Sequence, residues 1–311
     1  MTQKDIIEAS LEQFTSARNR TNLKNNGGYP MRYTRYLLIL ALAAAASFTF
    51  IAPFRVKAIV YGFVDTNNVF KNTGAFIVKS PATGNISPIC SGTLISPNVF
   101  LTASHCTVFF ENDLAPLGFT AFVSFDNPIP FGNLTSNRTK LIPVTRVVTN
   151  PNFNQAQSDT GDIAVLLIPA NKTAGITPEQ LPPAGLLDQL ATQNGLKNAV
   201  FTPVGYGLQN RVTGGGPPFF QDSNPAPRMF AFSGFNALNN TFLRMSQNPA
   251  TGNGGACFGD SGGPIFMNYN GARLLVAITI TGDAVCRSTN VAYRTDTASA
   301  RNFLAPYVAL P

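Results

Sequence analysis

Apolar residues along this chain come in short runs broken by Gly, Pro and Asn, and over residues 59–311 that rhythm predicts strands rather than helices. Twelve runs stand out: Gly74–Lys79, Gly92–Ile95, Val99–Ser104, Phe119–Phe125, Val144–Val148, Ile163–Ile168, Ala199–Val204, Arg228–Ser233, Thr241–Ser246, Pro264–Met267, Leu274–Ile280 and Val291–Thr295. No helical period lies between them, so the expected architecture is all-β and antiparallel, a barrel or a sandwich. A single helical period closes the chain at Thr297–Val308, with Pro306 as an interruption inside it. Asn127–Arg138 and Leu208–Pro227 read as long surface loops, which closure entropy tolerates. The expectation is one compact domain, 59–311, built of two similar halves that meet near Asn171 and Lys172.

Residues 1–58 break this rhythm. Residues 1–30 are polar without apolar period and read as a disordered or untranslated extension, with Met31 as an alternative start. From Met31 a short basic stretch precedes an apolar, Ala-rich run from Leu37 to Ile51 and then Pro53. That is a signal-peptide pattern over 31–58, shorter than the roughly 20 apolar residues of a membrane span. Small residues offer cleavage after Ala46 or after Ala58, and the second would make Ile59 a new N-terminus.

Setting the leader aside changes the meaning of the charge. The full chain carries a net +7 and a pI near 9.4, but 8 of its 22 basic and only 3 of its 15 acidic residues lie in 1–58, which leaves +2 for the rest. The remaining Lys and Arg are scattered, so nothing calls for a nucleic-acid partner. The four cysteines, Cys90, Cys106, Cys257 and Cys286, all follow the leader and suit an oxidising compartment. Without a CxxC spacing, and with one histidine, they read as disulfides in one of three pairings; no metal or cofactor is expected.

That histidine, His105, is the obvious proton carrier near neutral pH. A serine is a weak nucleophile unless a base adjoins it, and the base needs an orienting group. Candidates exist for all three roles: Ser261 in a glycine-rich turn, His105, and Asp162 or Asp159 at the head of an apolar run. Cys90-Ser91-Gly92-Thr93-Leu94-Ile95, Thr102-Ala103-Ser104-His105-Cys106, Asp162-Ile163-Ala164-Val165-Leu166-Leu167 and Cys257-Phe258-Gly259-Asp260-Ser261-Gly262-Gly263-Pro264 then follow in order. Together they resemble the chymotrypsin/trypsin-like serine endopeptidases, particularly a secreted bacterial-type branch.

The resemblance implies two six-stranded antiparallel Greek-key barrels with a short C-terminal helix. It implies Ser261 as nucleophile, His105 as general base and acid, Asp162 holding the imidazole, and the N–H groups of Gly259 and Ser261 as the oxyanion hole. It also implies bridges Cys90–Cys106 and Cys257–Cys286, and an ion pair between Asp260 and the freed ammonium of Ile59, whose Ile59-Val60-Tyr61-Gly62 resembles a mature start. Gly205-Tyr206-Gly207 resembles a turn packed beside the nucleophile loop.

Counting back from Ser261 places Gly255 and Ala256 at the base of the specificity pocket, with Thr281, Gly282 and Val291 in its walls. No carboxylate awaits a basic side chain, so small or apolar neutral side chains are expected, and with His105 already used a glutamate preference is disfavoured. The expected protein is a secreted monomer acting on polypeptides without stable membrane association. A catalytically silent binding protein on the same scaffold, or a signal-anchored membrane protease, are the alternatives.

Overall fold

The computed structural model describes residues 59–130, 132, 139–209, 211–212, 219–220 and 224–311, so the expectations for residues 1–58 lie outside the described residues. In chain order the strands are β1 (Phe63–Val64), β2 (Thr73–Lys79), β3 (Ile86–Ser96), β4 (Val99–Thr102), β5 (Thr120–Ser124), β6 (Ile142–Pro143), β7 (Arg146–Thr149), β8 (Ala164–Leu167) and β9 (Val200–Gly205). They continue with β10 (Arg211–Val212), β11 (Phe219–Phe220), β12 (Met229–Phe230), β13 (Ser233–Leu238), β14 (Phe242–Ser246), β15 (Pro264–Tyr269), β16 (Ala272–Gly282) and β17 (Thr289–Arg294). Among the described residues three short α-helices accompany them: α1 (Ser104–Phe109), α2 (Leu186–Thr192) and α3 (Ala298–Leu304).

The C-terminal sheet closes. Its order β9-β13-β14-β17-β16-β15 returns from β15 to β9, giving a six-stranded antiparallel barrel, with β12 and β1 added alongside β9. Leu243, Met245, Ile265, Val276, Ala277 and Ala292 fill it, every one fully buried. The N-terminal sheet, ordered β6-β5-β2-β3-β4-β8-β7, does not close by hydrogen bonds, which corrects the expectation of two closed barrels. It is an open half-barrel, its edge strands β6 and β7 not being paired with each other. Ile142–Pro143 pairs with β5 and Arg146–Thr149 with β8, Pro143 has no N–H for a ladder, and only Val144 and Thr145 lie between.

Each half lends an end to the other. Val60 exchanges both backbone hydrogen bonds with Gly255, at 3.0 Å each, and β1 pairs with β12, so the first described residues belong to the C-terminal sheet. In return α3 lays Ala300 and Leu304 into the core shared with Phe100, Leu101 and Ile163. Thr297 caps α3 by accepting Ala300 N–H at 3.2 Å, and the helix ends at Leu304, ahead of Pro306 rather than at Val308. The two long loops join through a bridge between Ile129 and Ala226, and the second carries the β10–β11 hairpin.

Candidate active site

The strand expected over Val99–Ser104 gives way at Ala103, whose extended backbone turns the chain into α1, and this change of direction presents His105 in the first turn of a helix. A six-residue helix is marginal alone, so tertiary contacts must hold it. Cys106 is bridged to Cys90 of β3. Ser104 Oγ donates to the carbonyl of Ile163 at 2.8 Å, and Thr107 Oγ1 bonds to Ser104 O at 3.0 Å. Ser104 is thus wholly buried with its hydroxyl committed to the backbone.

Asp162 immediately precedes Ile163, so the anchor of α1 also delivers the carboxylate. Its Oδ1 accepts the backbone N–H of His105 at 2.9 Å, and its Oδ2 lies 2.8 Å from His105 Nδ1. The Asp162 side chain is only 5% exposed and that of His105 14%. A buried carboxylate needs such donors, and this pair fixes both the ring orientation and a protonated Nδ1, leaving Nε2, 3.6 Å from Cys106 Sγ, as the unprotonated nitrogen. Asp159 turns away, accepting Tyr293 Oη–H at 2.7 Å and Gly161 N–H at 3.1 Å.

Ser261 follows Asp260 in a turn that packs against the end of β4, the strand leading to His105. Gly262, at φ +76°, presses so close that a Cβ there would sit 2.2 Å from Thr102 Oγ1 and 2.8 Å from Ala103 N, two residues before His105. Sequence reasoning missed the residue that joins these pieces. Ser91 is fully buried: its N–H donates to Ser261 O at 2.9 Å, its hydroxyl to Gly259 O at 3.0 Å, and that hydroxyl accepts Tyr206 N–H at 3.0 Å. Its carbonyl accepts Thr102 Oγ1–H at 2.9 Å. One residue thereby ties three pieces together, its hydroxyl joining the Gly259 turn to Gly205-Tyr206-Gly207 and its backbone holding Ser261 and the strand leading to His105.

Asp260 is fully buried and receives Gly207 N–H at 2.8 Å and Cys257 N–H at 2.9 Å. Burial pushes its carboxyl up to about 7, against the lowering by those two bonds. Ile59 is itself fully buried among Met229, Ala231 and Val64, and Val60 packs on the Cys257–Cys286 bridge. The segment that would provide an N-terminal ammonium is therefore docked alongside the loop of Asp260, although no ion pair of Asp260 occurs among the described residues.

Of the residues expected to line a specificity pocket, Gly255 and Ala256 are buried, whereas Thr281 and Gly282 are exposed at the end of β16, paired with Val291 and Asn290. Two open hollows, of about 420 and 580 Å³, lie elsewhere, around Asn72, Glu179 and Arg273 and around Asp188, Asp296 and Arg301. The ligand atoms of Cys90, His105 and Cys106 fall within 4.8 Å of one another, but the two sulfurs form one disulfide and offer no thiolate to a metal.

Comparison with known proteins identifies the family of the fold that carries these residues. The Trypsin family model matches residues 63–304. A CLIP domain-containing serine protease B15 of Anopheles gambiae is 28% identical over 217 residues, covering 66% of this chain and 57% of that protein. Vitamin K-dependent protein C of Felis catus is 28% identical over 156 residues, 48% of this chain and 94% of that protein. Both are animal proteins, which lends the bacterial-type branch no support.

Proposed function

The chain belongs to the trypsin family, and from that premise we propose that it is a secreted serine endopeptidase whose catalytic groups are Ser261, His105 and Asp162. The observation that carries the reading is the pair of hydrogen bonds from the backbone N–H and ring of His105 to the two oxygens of the Asp162 carboxylate. In the proposed reaction His105 Nε2 takes the proton of Ser261 Oγ as that oxygen attacks the scissile carbonyl. The negative oxygen that develops is held by the N–H groups of Gly259 and Ser261, each such donor being worth roughly 2.7–4 kcal/mol. His105 then gives its proton to the leaving amine, which departs and leaves the acyl group on Ser261. A water, deprotonated by the same nitrogen, hydrolyses that ester and returns the proton to Ser261.

We further infer that removal of residues 1–58 generates the active form, a domain spanning 59–311 that works as a monomer. Cleavage before Ile59 would create an ammonium on a segment already held by Gly255, where it would neutralise Asp260. Two disulfides and the leader support export. Among the described residues no helix is long and apolar enough to cross a membrane. The pocket takes neutral side chains, since neither Gly255 nor Ala256 carries charge. A fluorophosphonate probe should label the processed protein and fail to label Ser261→Ala. Absence of labelling in the wild type would favour a silent binding protein on this scaffold.

A further inference from the structure

The proposed reaction leaves the buried hydroxyl of Tyr293 without a role. Tyr293 lies on β17 between Phe242 of β14 and Ile278 of β16, is fully buried, and packs in the same cluster as Ile163, Ala300 and Leu304. A buried hydroxyl needs a partner, and this one finds it in the other half of the molecule. Its Oη–H donates to Asp159 Oδ1 at 2.7 Å, across 134 positions of sequence, while Ser299 Oγ of α3 stands 3.3 Å away. A phenol has one hydrogen, and the shorter contact with a carboxylate takes it. Burial, with the charges of Asp159 and Asp162 added, pushes the hydroxyl above its ordinary range, so it stays a donor.

The oxygen of Asp159 that receives this bond also accepts the N–H of Gly161 at 3.1 Å. Gly161 directly precedes Asp162 and has a φ of +58°. A Cβ there would sit 3.0 Å from Asn152 O and 3.1 Å from Asn150 Nδ2, so the turn admits no bulkier residue. One carboxylate oxygen thus grips the turn from which Asp162 projects. Residues 154–158 just before it are exposed, so little packing steadies the turn from that side.

The two ends of the His105–Asp162 pair are therefore tied to the C-terminal half separately. At the histidine end, Ser91 N–H donates to Ser261 O and Ser91 O accepts Thr102 Oγ1–H, three residues before His105. At the aspartate end the tie is the bond from Tyr293 to Asp159. We propose that Tyr293 is a positioning residue for peptide hydrolysis: through Asp159 it sets the turn that carries Asp162, and so keeps the Asp162–His105 pair aligned on Ser261. This rests on the protease reading above. Tyr293 acts through Asp159 and not on the substrate.

The test follows the processed enzyme on one peptide–coumarin substrate and by NMR of nitrogen-15 histidine, in which His105, the sole histidine, gives the only ring signals. Tyr293→Phe keeps the ring in its packing and removes only the oxygen. Its kcat should fall about 10- to 100-fold with KM within about twofold, since misplacing a catalytic group by roughly 1 Å costs on that order. The His105 Nδ1–H signal should shift or broaden as the bond to Asp162 loosens. Asp159→Ala should do the same, and the double variant should be no worse than either single. Asp159→Asn keeps an oxygen that accepts from both Gly161 and Tyr293, so it should retain most of the wild-type kcat. Tyr293→Phe enzyme that melts at a lower temperature yet keeps its kcat and its His105 signal overturns the inference alone, and so does a double variant whose losses simply multiply. Wild type that is neither labelled at Ser261 by fluorophosphonate nor able to cleave overturns the protease reading and this inference with it. Where Tyr293→Phe fails to fold, Asp159→Ala, at a half-buried loop position, carries the same comparison.

Discussion

His105 and Asp162 lie 57 positions apart, and the carboxylate grips the histidine through its backbone as well as its ring. Asp162→Asn would keep the shape but offer an amide N–H where an acceptor is needed, so the imidazole adopts the wrong tautomer. We expect kcat to fall about 10⁴-fold with little change in KM, checked by steady-state kinetics on one peptide substrate. Asp260 makes a different prediction. Its carboxyl, raised to about 7 by burial, favours the protonated form in the folded chain. In protein not cut before Ile59, the resulting stability is full below about pH 4, the unfolded carboxyl's range, and is lost as pH rises through about 7. Urea melts of uncut Ser261→Ala protein should therefore show stability falling by about 4 kcal/mol across that window. Asp260→Asn should flatten the slope, and cutting before Ile59 should reverse it; an unchanged slope in Asp260→Asn would refute the assignment. The pairing of His105 with Asp162 was legible in sequence because the neighbours of both residues are distinctive. The bridging role of Ser91 was not, since a lone polar residue shows its role only once strands far apart in sequence have paired.

Strands were the legible elements. Turn residues punctuate them so regularly that all twelve expected runs overlap strands, their ends shifted by the pairing partners. Helix α1 escaped notice because six residues hold too little period, and its stability comes from the Cys90–Cys106 bridge and the Ser104–Ile163 bond rather than from its own sequence. Helix α2, seven residues after Gly185, was missed for the same reason. The β3 strand has more to do than its apolar pattern shows, because Ser91 in its middle holds the turns of Gly259 and Tyr206. Ser91→Ala would leave the Gly259 carbonyl and the Tyr206 N–H unpaired in a buried site, at a cost of about 1–3 kcal/mol. Thermal unfolding should report that loss. Binding of a boronate that mimics the tetrahedral intermediate should weaken more than binding of an unreactive peptide of the same sequence. Equal weakening of the two ligands would assign Ser91 to stability alone.

At the scale of the whole molecule, the joint between the two sheets is polar at its centre. Arg228, wholly buried, donates from Nε to Asp65 Oδ2 at 2.9 Å, and from one terminal nitrogen to Thr73 O at 3.0 Å, Phe125 O at 3.3 Å and Tyr206 Oη at 3.1 Å, while the other reaches Asn68 Oδ1. Asp65 follows β1 of the C-terminal sheet, Thr73 opens β2 of the N-terminal sheet, and Tyr206 leads into the Gly207 N–H that holds Asp260. A hydrophobicity pattern cannot disclose such a joint, because a buried arginine breaks the rule by which cores are read. Its energetics follow from desolvation: removing one partner strands the other charge, whereas removing both relieves it. Arg228→Met should therefore cost about 3–5 kcal/mol, lowering Tm by on the order of 10 °C. Adding Asp65→Leu should recover part of that loss, because the double variant no longer buries an uncompensated carboxylate. Differential scanning fluorimetry of the two singles and the double, all in the Ser261→Ala background, closes the cycle. Strict additivity would show that Asp65 and Arg228 act separately and that the joint is held by the carbonyls of Thr73 and Phe125 instead.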